Sequence, residues 1–149
     1  MKKLILFFLP LLAMAACNSE PETLTDTEVV INSVFINDLP ELTNTSVESS
    51  ISLFNYAVSR ETPIYTSSSF TINKNSLPYS YSIGQTLTCK PNDFYIISIN
   101  KGNTSSFYFY NTIPVKEFLK TNPSTFILTD SFDRGQKITL NLSYIYFNR

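Results

Sequence analysis

The feature that most constrains the fold is a two-residue alternation near the end of the sequence. In Lys137–Phe147 (KITLNLSYIYF) one face is entirely apolar: Ile138, Leu140, Leu142, Tyr144 and Tyr146. Successive side chains of a β-strand point to opposite faces, so this spacing predicts a strand with one buried face. Slipping the pairing by one residue would expose all five side chains, and the pattern therefore fixes the register.

The same period of two recurs from Val29 onward, in short segments separated by turn residues. It predicts seven more strands: Val29–Asn37, Ser49–Val58, Ile64–Asn73, Tyr79–Thr88 with a bend at Gly84, Asp93–Asn100, Ser106–Thr112 and Thr125–Thr129. A short helix is predicted at Val115–Lys120, because Pro114 suits a first turn and Asn122-Pro123 ends it. These elements predict an all-β fold, an antiparallel eight-stranded β-sandwich over residues 29–149, with a barrel as the alternative.

The first seventeen residues, MKKLILFFLPLLAMAAC, have the pattern of a secretion signal. Lys2 and Lys3 precede an apolar run, and small residues lead up to Cys17. The run is too short to cross a hydrocarbon core of about 30 Å as a helix, so a transmembrane anchor is not expected. An ordinary secretory signal that leaves a free cysteine is the alternative interpretation.

The segment Met14-Ala15-Ala16-Cys17 resembles the lipobox of bacterial lipoproteins, although Met14 stands where that motif most often has leucine. The resemblance implies that residues 1–16 are a signal peptide that is removed. It also implies that Cys17 carries a diacyl group on its sulfur and an acyl chain such as palmitate on its amine. Buried acyl chains contribute about 0.8 kcal/mol per methylene, which makes attachment to a membrane stable.

Residues 17–28 form a polar segment after the signal, and its charged residues, Glu20, Glu22, Asp26 and Glu28, are all acidic. Such a segment cannot bury apolar area, so it is predicted to be a flexible tether. An acidic run after a lipidated cysteine resembles the surface-export signal of lipoproteins from Bacteroidetes-type bacteria. The resemblance implies an outer-membrane protein, on the cell surface rather than the periplasmic face.

Several classes of functional site are excluded by composition. The sequence has no His and no Trp, which removes Ser-His-Asp triads and most transition-metal sites. Its three glycines lie too far apart for a phosphate-binding loop. Loss of Lys2 and Lys3 reduces the 11 basic residues to 9 against 12 acidic ones, without a basic cluster, so no nucleic-acid partner is expected. An enzyme using paired carboxylates is the least favoured class, and no cofactor is expected.

Two aromatic side chains are candidates for ligand binding. In the run Phe107–Tyr110, simple alternation predicts that Phe107 and Phe109 are core residues while Tyr108 and Tyr110 face outward. Outward-facing tyrosines could stack on a sugar. Core filling with an amphipathic rim is the favoured interpretation, since the absence of Trp weakens the carbohydrate hypothesis.

Three further residues could carry chemistry. Asp130 and Asp133 share the loop DSFDRG and could contribute to a calcium site, but the loop lacks the ladder of acidic ligands of an EF-hand. A turn-stabilising Asx interaction is therefore favoured there. Cys89 is interpreted as a small apolar residue in a strand rather than as a nucleophile.

A second resemblance concerns the domain itself. The pattern DFYIISINKGNTSSFYF, a helical insert, NPSTFILTD and the final strand together resemble the conserved-region-two (C-two) domain of protein kinase C, an eight-stranded sandwich. In that family a calcium-binding loop carries an Asp-x-Asp pair. Asn100 and Gly102, followed by Asn103, occupy the matching positions here, so the resemblance implies a domain that does not bind calcium.

Together these features predict an outer-membrane lipoprotein whose β-sandwich is a non-catalytic, calcium-independent binding or assembly module. Its expected partners are the membrane, through the lipid at Cys17, and either another envelope protein or a glycan. The alternative is a carbohydrate-binding accessory lipoprotein of a glycan-uptake system.

Lipidation is directly testable in protein made in its native envelope. We expect mass spectrometry to find an N-terminal fragment that starts at Cys17 and carries acyl chains. The Cys17→Ala variant should lose both that mass and its place in the membrane fraction, because the thiol is the acylated group. Membrane retention of the alanine variant would contradict the prediction.

Overall fold

The computed structural model describes residues 27–40, 42, 46–102, 104 and 106–146. Cys17, residues 18–26 of the predicted tether, Glu41, Asn103 and Phe147 lie outside the described residues. The tether was predicted to run to residue 28, but Thr27 and Glu28 belong to the first strand, because they pair with strand residues on both sides. No helix in the described ranges is long and apolar enough to cross a membrane. The elements, in chain order, are β1 (Thr27–Asp38), β2 (Val47–Asn55), β3 (Tyr65–Thr66), β4 (Phe70–Ile72), β5 (Tyr79–Cys89), β6 (Tyr95–Lys101), β7 (Phe107–Ile113), α1 (Val115–Thr121), β8 (Thr125–Thr129) and β9 (Lys137–Tyr146), with a 3-10 turn at Lys74–Ser76.

The first sheet has the strand order β5-β1-β9-β8, and every pairing in it is antiparallel. A bulge interrupts β1 between Ile31 and Ser33, so that Ile31 and Val34 both point into the core although they are three residues apart. Gly84 lies opposite this bulge with a φ of 65°, a left-handed conformation that glycine adopts without strain. This irregularity confirms the predicted bend in β5.

The second sheet has the order β3-β2-β6-β7, and β4 pairs with the same strand β2. The predicted strand Ile64–Asn73 is interrupted between β3 and β4, because the Ser67 hydroxyl, rather than a backbone carbonyl, forms one of the hydrogen bonds to β2. It accepts a hydrogen bond from the Ile51 N–H, while the Ser67 N–H donates to the Ile51 carbonyl, both at 2.9 Å. If β3 and β4 are counted as one interrupted edge strand, the fold has the eight strands that the sequence predicts.

The core lies between the two sheets and confirms the alternation seen in the sequence. On β9, Ile138, Leu140 and Leu142 are buried, whereas Ser143 and Ile145 are exposed. The all-β class and the antiparallel sandwich are therefore confirmed, and the described strands form two separate sheets rather than one closed barrel.

The helix α1 lies at the predicted place and contributes to the core. It follows Pro114 and buries Val115, Phe118 and Leu119. It ends at Asn122, whose φ of 46° is left-handed and whose N–H donates to the Phe118 carbonyl at 2.9 Å. The predicted helix thus extends by one residue, to Thr121.

The buried face of β9 yields a stability prediction. Leu140→Ala should lower the free energy of unfolding by about 2–5 kcal/mol, because it leaves a cavity between the sheets. Ile127→Ala is the matched control, since Ile127 belongs to the same sheet but is 63% exposed, and it should cost no more than about 0.5 kcal/mol. Urea unfolding of both variants measures the difference, and equal losses would contradict the assigned faces.

Candidate functional site

Only one of the two candidate tyrosines lies on the outer face of the second sheet. Ile99 pairs with Phe109, but Asn100 pairs with Phe107, so Tyr108 is an extra residue in a β-bulge. Tyr108 is only 8% exposed and belongs to the core, as Phe109 does. The prediction that Tyr108 faces outward is therefore wrong, since the bulge shifts the alternation by one residue.

The same bulge places Phe107 beside Tyr110 on the outer face, where the prediction had put it in the core. The two rings stack with centroids 5.0 Å apart and planes inclined by 25°. Both rings are partly exposed. They form an aromatic wall along the outer side of β7.

This aromatic wall borders a cleft of about 550 Å³ on the outer face of the second sheet. Its size falls within the range of about 300–1,000 Å³ usual for small-molecule sites. The outer cleft, as we call it, is lined by Ser52, Phe54, Tyr56, Arg60, Glu61, Ile96, Ser98, Asn100, Thr104, Phe107 and Tyr110. The cleft rather than the tyrosine pair is therefore the candidate functional site.

The concave shape of the outer cleft follows from side-chain size across three neighbouring strands. Ser52 on β2 pairs with Ser98 on β6, which pairs with Tyr110 on β7, so small residues occupy the middle of the sheet. Phe54 and Ile96 form the next row. Ser52 and Ser98 are only 4% and 2% exposed, although they lie on the outer face of the sheet. The larger side chains around them thus make the two serines the floor of a depression.

Asn100 organises the polar floor. Its Nδ2 donates to Ser50 Oγ at 3.0 Å and to Ser52 Oγ at 2.9 Å, while Ser98 Oγ donates to Asn100 Oδ1 at 3.0 Å. Such a network fixes the orientation of each side chain in it. The floor is therefore a neutral, ordered array of hydroxyl and amide groups.

The loop between β2 and β3 forms the opposite wall. The Tyr56 N–H donates to the Phe94 carbonyl at 2.8 Å, and the two rings lie 5.6 Å apart, which holds the loop against the sheet. The Arg60 guanidinium lies 4.1 Å from the centroid of the Tyr56 ring. Arg60 and Glu61 are exposed and of opposite charge, so this wall adds no net charge.

Asp130, a candidate calcium ligand, instead joins the β8–β9 loop to β7. Its carboxylate accepts hydrogen bonds from the Tyr110 N–H at 2.9 Å and from the Phe132 N–H at 3.0 Å, the second being the predicted Asx turn. Arg134 donates to both carboxylate oxygens, at 2.9 and 3.0 Å. Its Nη1 also donates to the Phe107 carbonyl at 2.9 Å. This ion pair therefore holds the backbone of the aromatic wall.

The hydrogen bonds of the DSFDRG loop leave few carboxylate oxygens available to bind a cation. Both oxygens of Asp130 are engaged by Arg134 and by backbone N–H groups, while Asp133 is exposed with a φ of 54°. Within the described ranges, no three acidic or cysteine side chains gather as metal ligands would. Calcium independence itself stays a prediction.

The surroundings of the Asp130 carboxyl shift its pKa. Burial by itself would raise its pKa, but the hydrogen bonds from Arg134, Tyr110 and Phe132 and the Arg134 charge outweigh burial, and the pKa is lowered from 3.8. The folded state therefore favours the ionised form.

Cys89 is the buried strand residue that was predicted. It ends β5, is fully buried and has a free thiol. Burial, with a smaller contribution from Asp93, raises the pKa of this thiol to about 12. A thiol that stays protonated is a poor nucleophile, which agrees with a packing role.

The serines of the floor were missed by the sequence analysis, although a signal was present. Serines at positions 50, 52 and 98 interrupt two segments that are otherwise strongly apolar, SISLF and YIISIN. Only their pairing across β2 and β6 shows that they share one face and surround Asn100.

Comparisons with known proteins identify a structural neighbour but no sequence relative. No protein-family model matches the chain, and no curated protein matches it. Among solved structures it is similar to the first conserved-region-two domain (domain A) of plant extended synaptotagmin 1, with a TM-score of 0.45 and 14% identity, over 87% of this chain and 100% of that one. At this level of identity the likeness concerns the fold alone.

The ion pair of Asp130 predicts a specific pH dependence. At neutral pH, Asp130→Asn should lower the free energy of unfolding by about 1–3 kcal/mol, because Arg134 loses its carboxylate partner. The native carboxyl has a lowered pKa, so its stabilising effect is present above pH 3.8 and is lost as the pH falls through the folded value.

Urea unfolding at a series of pH values measures this effect. The difference in the free energy of unfolding between wild type and Asp130→Asn should narrow as the pH falls below 3.8. Asp133→Asn removes the same charge from an exposed position of the loop and should leave stability at neutral pH nearly unchanged. A difference between wild type and Asp130→Asn that stays constant to low pH would contradict the role assigned to Asp130.

Proposed function

We propose that this protein is a non-catalytic binding module, held at the outer membrane by a lipid on Cys17, and that the outer cleft is its ligand site. One observation carries the proposal: Ser52 and Ser98 lie on the outer face of a sheet, yet they form the ordered floor of a walled cleft. An outer sheet face that only meets water needs neither walls nor a side-chain network. A ligand site needs both, because preorganised polar groups fix a ligand with little loss of entropy.

The floor supports binding rather than catalysis. A serine becomes a nucleophile when a nearby base removes its proton. Ser52 and Ser98 instead hydrogen-bond to Asn100, whose amide is not a base at neutral pH. These groups can recognise a ligand without reacting with it.

The position of the cleft is compatible with a lipid anchor. β1 begins at Thr27, beside Cys89 and Tyr146 at one end of the first sheet. The ten residues 17–26 that precede it can span at most about 36 Å. Asn100 lies near the opposite end of β6, since β6 starts at Tyr95 beside Thr88. The polar floor therefore lies toward the end of the sandwich that is farther from Thr27, where the tether joins the domain.

The expected ligand is a macromolecule of the envelope or the cell exterior, because the anchor keeps the module at the outer membrane. The acidic tether favours the cell-surface side.

A photo-reactive benzoyl-phenylalanine at position 110 tests the proposal in cells that make the lipidated protein. We expect irradiation to cross-link the protein to a macromolecule, because Tyr110 lines the cleft and is partly exposed. The same group at Ile127, an exposed residue of the other sheet, is the matched control and should give no such product. Absence of a product at position 110, or equal products at both positions, would overturn the proposal.

A further inference from the structure

We infer that the outer cleft binds an uncharged saccharide chain. This inference rests on the proposed function and names the ligand class of the same site. It depends on four properties of the cleft: the source of its polar groups, their mixed donor and acceptor character, the stacked aromatic wall and the balance of charge.

Polar recognition in the cleft must come from side chains. The backbone groups of β2 and β6 at the floor are used in ladders with neighbouring strands. A peptide that binds by strand addition requires an unpaired edge, which the middle of a sheet does not offer. The edge of β7 is engaged near Tyr110, where its N–H and carbonyl bond to Asp130 and to the Ser131 N–H. Hydroxyl and amide side chains therefore remain as the polar groups for a ligand.

The floor network leaves both donors and acceptors for a ligand. Ser52, which lines the cleft, accepts a hydrogen bond from Asn100, so the Ser52 hydroxyl can donate its own proton to a ligand. Ser98 donates to Asn100, so the Ser98 oxygen can still accept. Each hydroxyl of a sugar is also a donor and an acceptor, and it can be matched by such a pair.

The wall formed by Phe107 and Tyr110 supplies an apolar surface next to this floor. A pyranose ring has polar hydroxyls at its edge and C–H groups on its face, and the C–H face packs against an aromatic ring. The two rings lie beside Ser98 and Asn100, and their partly exposed surfaces offer apolar contact to a ligand. A sugar that stacks on Tyr110 can therefore direct its edge toward the polar floor.

The charge of the lining favours a neutral ligand. Arg60 and Glu61 are the charged residues among those that line the cleft, and their charges cancel. Arg60 also covers the Tyr56 ring. Beyond Phe107, a second depression is lined by Lys101 and Arg134, but Lys101 lies over the Tyr108 ring and Arg134 is paired with Asp130. The lining of the outer cleft itself therefore has no net charge that would attract an anionic chain.

Affinity electrophoresis of the full lipidated chain in detergent tests the inference. The gels contain soluble xyloglucan, galactomannan or amylopectin as neutral probes and polygalacturonate as the anionic probe. We expect at least one neutral probe to retard the protein. Tyr110→Ala should weaken this retention about tenfold, which corresponds to about 1.4 kcal/mol. Tyr110→Phe keeps the ring and should bind as the wild type does.

A control on the opposite sheet and a floor variant complete the design. Ile127→Ala removes an exposed apolar side chain from the first sheet and should leave retention unchanged. Asn100→Ala should weaken retention as Tyr110→Ala does, and thermal unfolding shows whether each variant is folded. Retention by no neutral probe, or by polygalacturonate alone, would overturn the inference, as would equal losses in Tyr110→Ala and Ile127→Ala.

The cross-linking experiment separates this inference from the proposed function. A cross-link at position 110 to a protein, without retention by any neutral probe, would overturn the saccharide inference and leave the binding module in place. A cross-link to a glycan together with retention by a neutral probe would support both. Absence of the cross-link would overturn the proposed function itself.

Discussion

The packing of two apolar sheet faces against each other is the constraint on which the structure depends. Burial of apolar surface is the main force that favours folding, at roughly 25 cal/mol per Å². Here both sheets contribute, with Ile31 and Leu140 from the first and Ile97 and Phe109 from the second, all fully buried. The registers of β1, β9, β2 and β6 are set by the need to keep these side chains inside. The bulges in β1 and β7 shift the alternation along each strand, so they change which side chains point into the core.

The outer face of the second sheet differs from the core because its middle carries polar residues that are nevertheless covered. A buried hydroxyl is tolerated when it has a hydrogen-bond partner, and Asn100 supplies partners to Ser50, Ser52 and Ser98. The aromatic residues around them exclude part of the solvent. A depression with an ordered polar floor results, and this combination of shape and chemistry makes it the best candidate for a ligand site among the described residues.

The edge strand β7 connects this site to the rest of the sandwich. It carries the aromatic wall on its outer side, while its backbone is bound to the β8–β9 loop through Asp130 and Arg134. The ion pair therefore has a mechanical role, because it joins the edge of the second sheet to a loop of the first. It also occupies part of an edge that would otherwise be open to pairing with another chain.

The sequence by itself determined the strand periodicity, the short helix and the apolar face of β9, because these depend on local spacing and on residues that stop helices and strands. It also determined the absence of histidine, and with it the exclusion of several kinds of catalytic site. Only the tertiary structure decided which strands are neighbours and where the bulges lie, since these depend on contacts between distant residues. The bulge at Tyr108 moved that residue into the core and Phe107 onto the outer face. The pairing of β2 with β6 brought Ser52 and Asn100, 48 residues apart, into one hydrogen-bonded floor, and no local pattern encodes that contact.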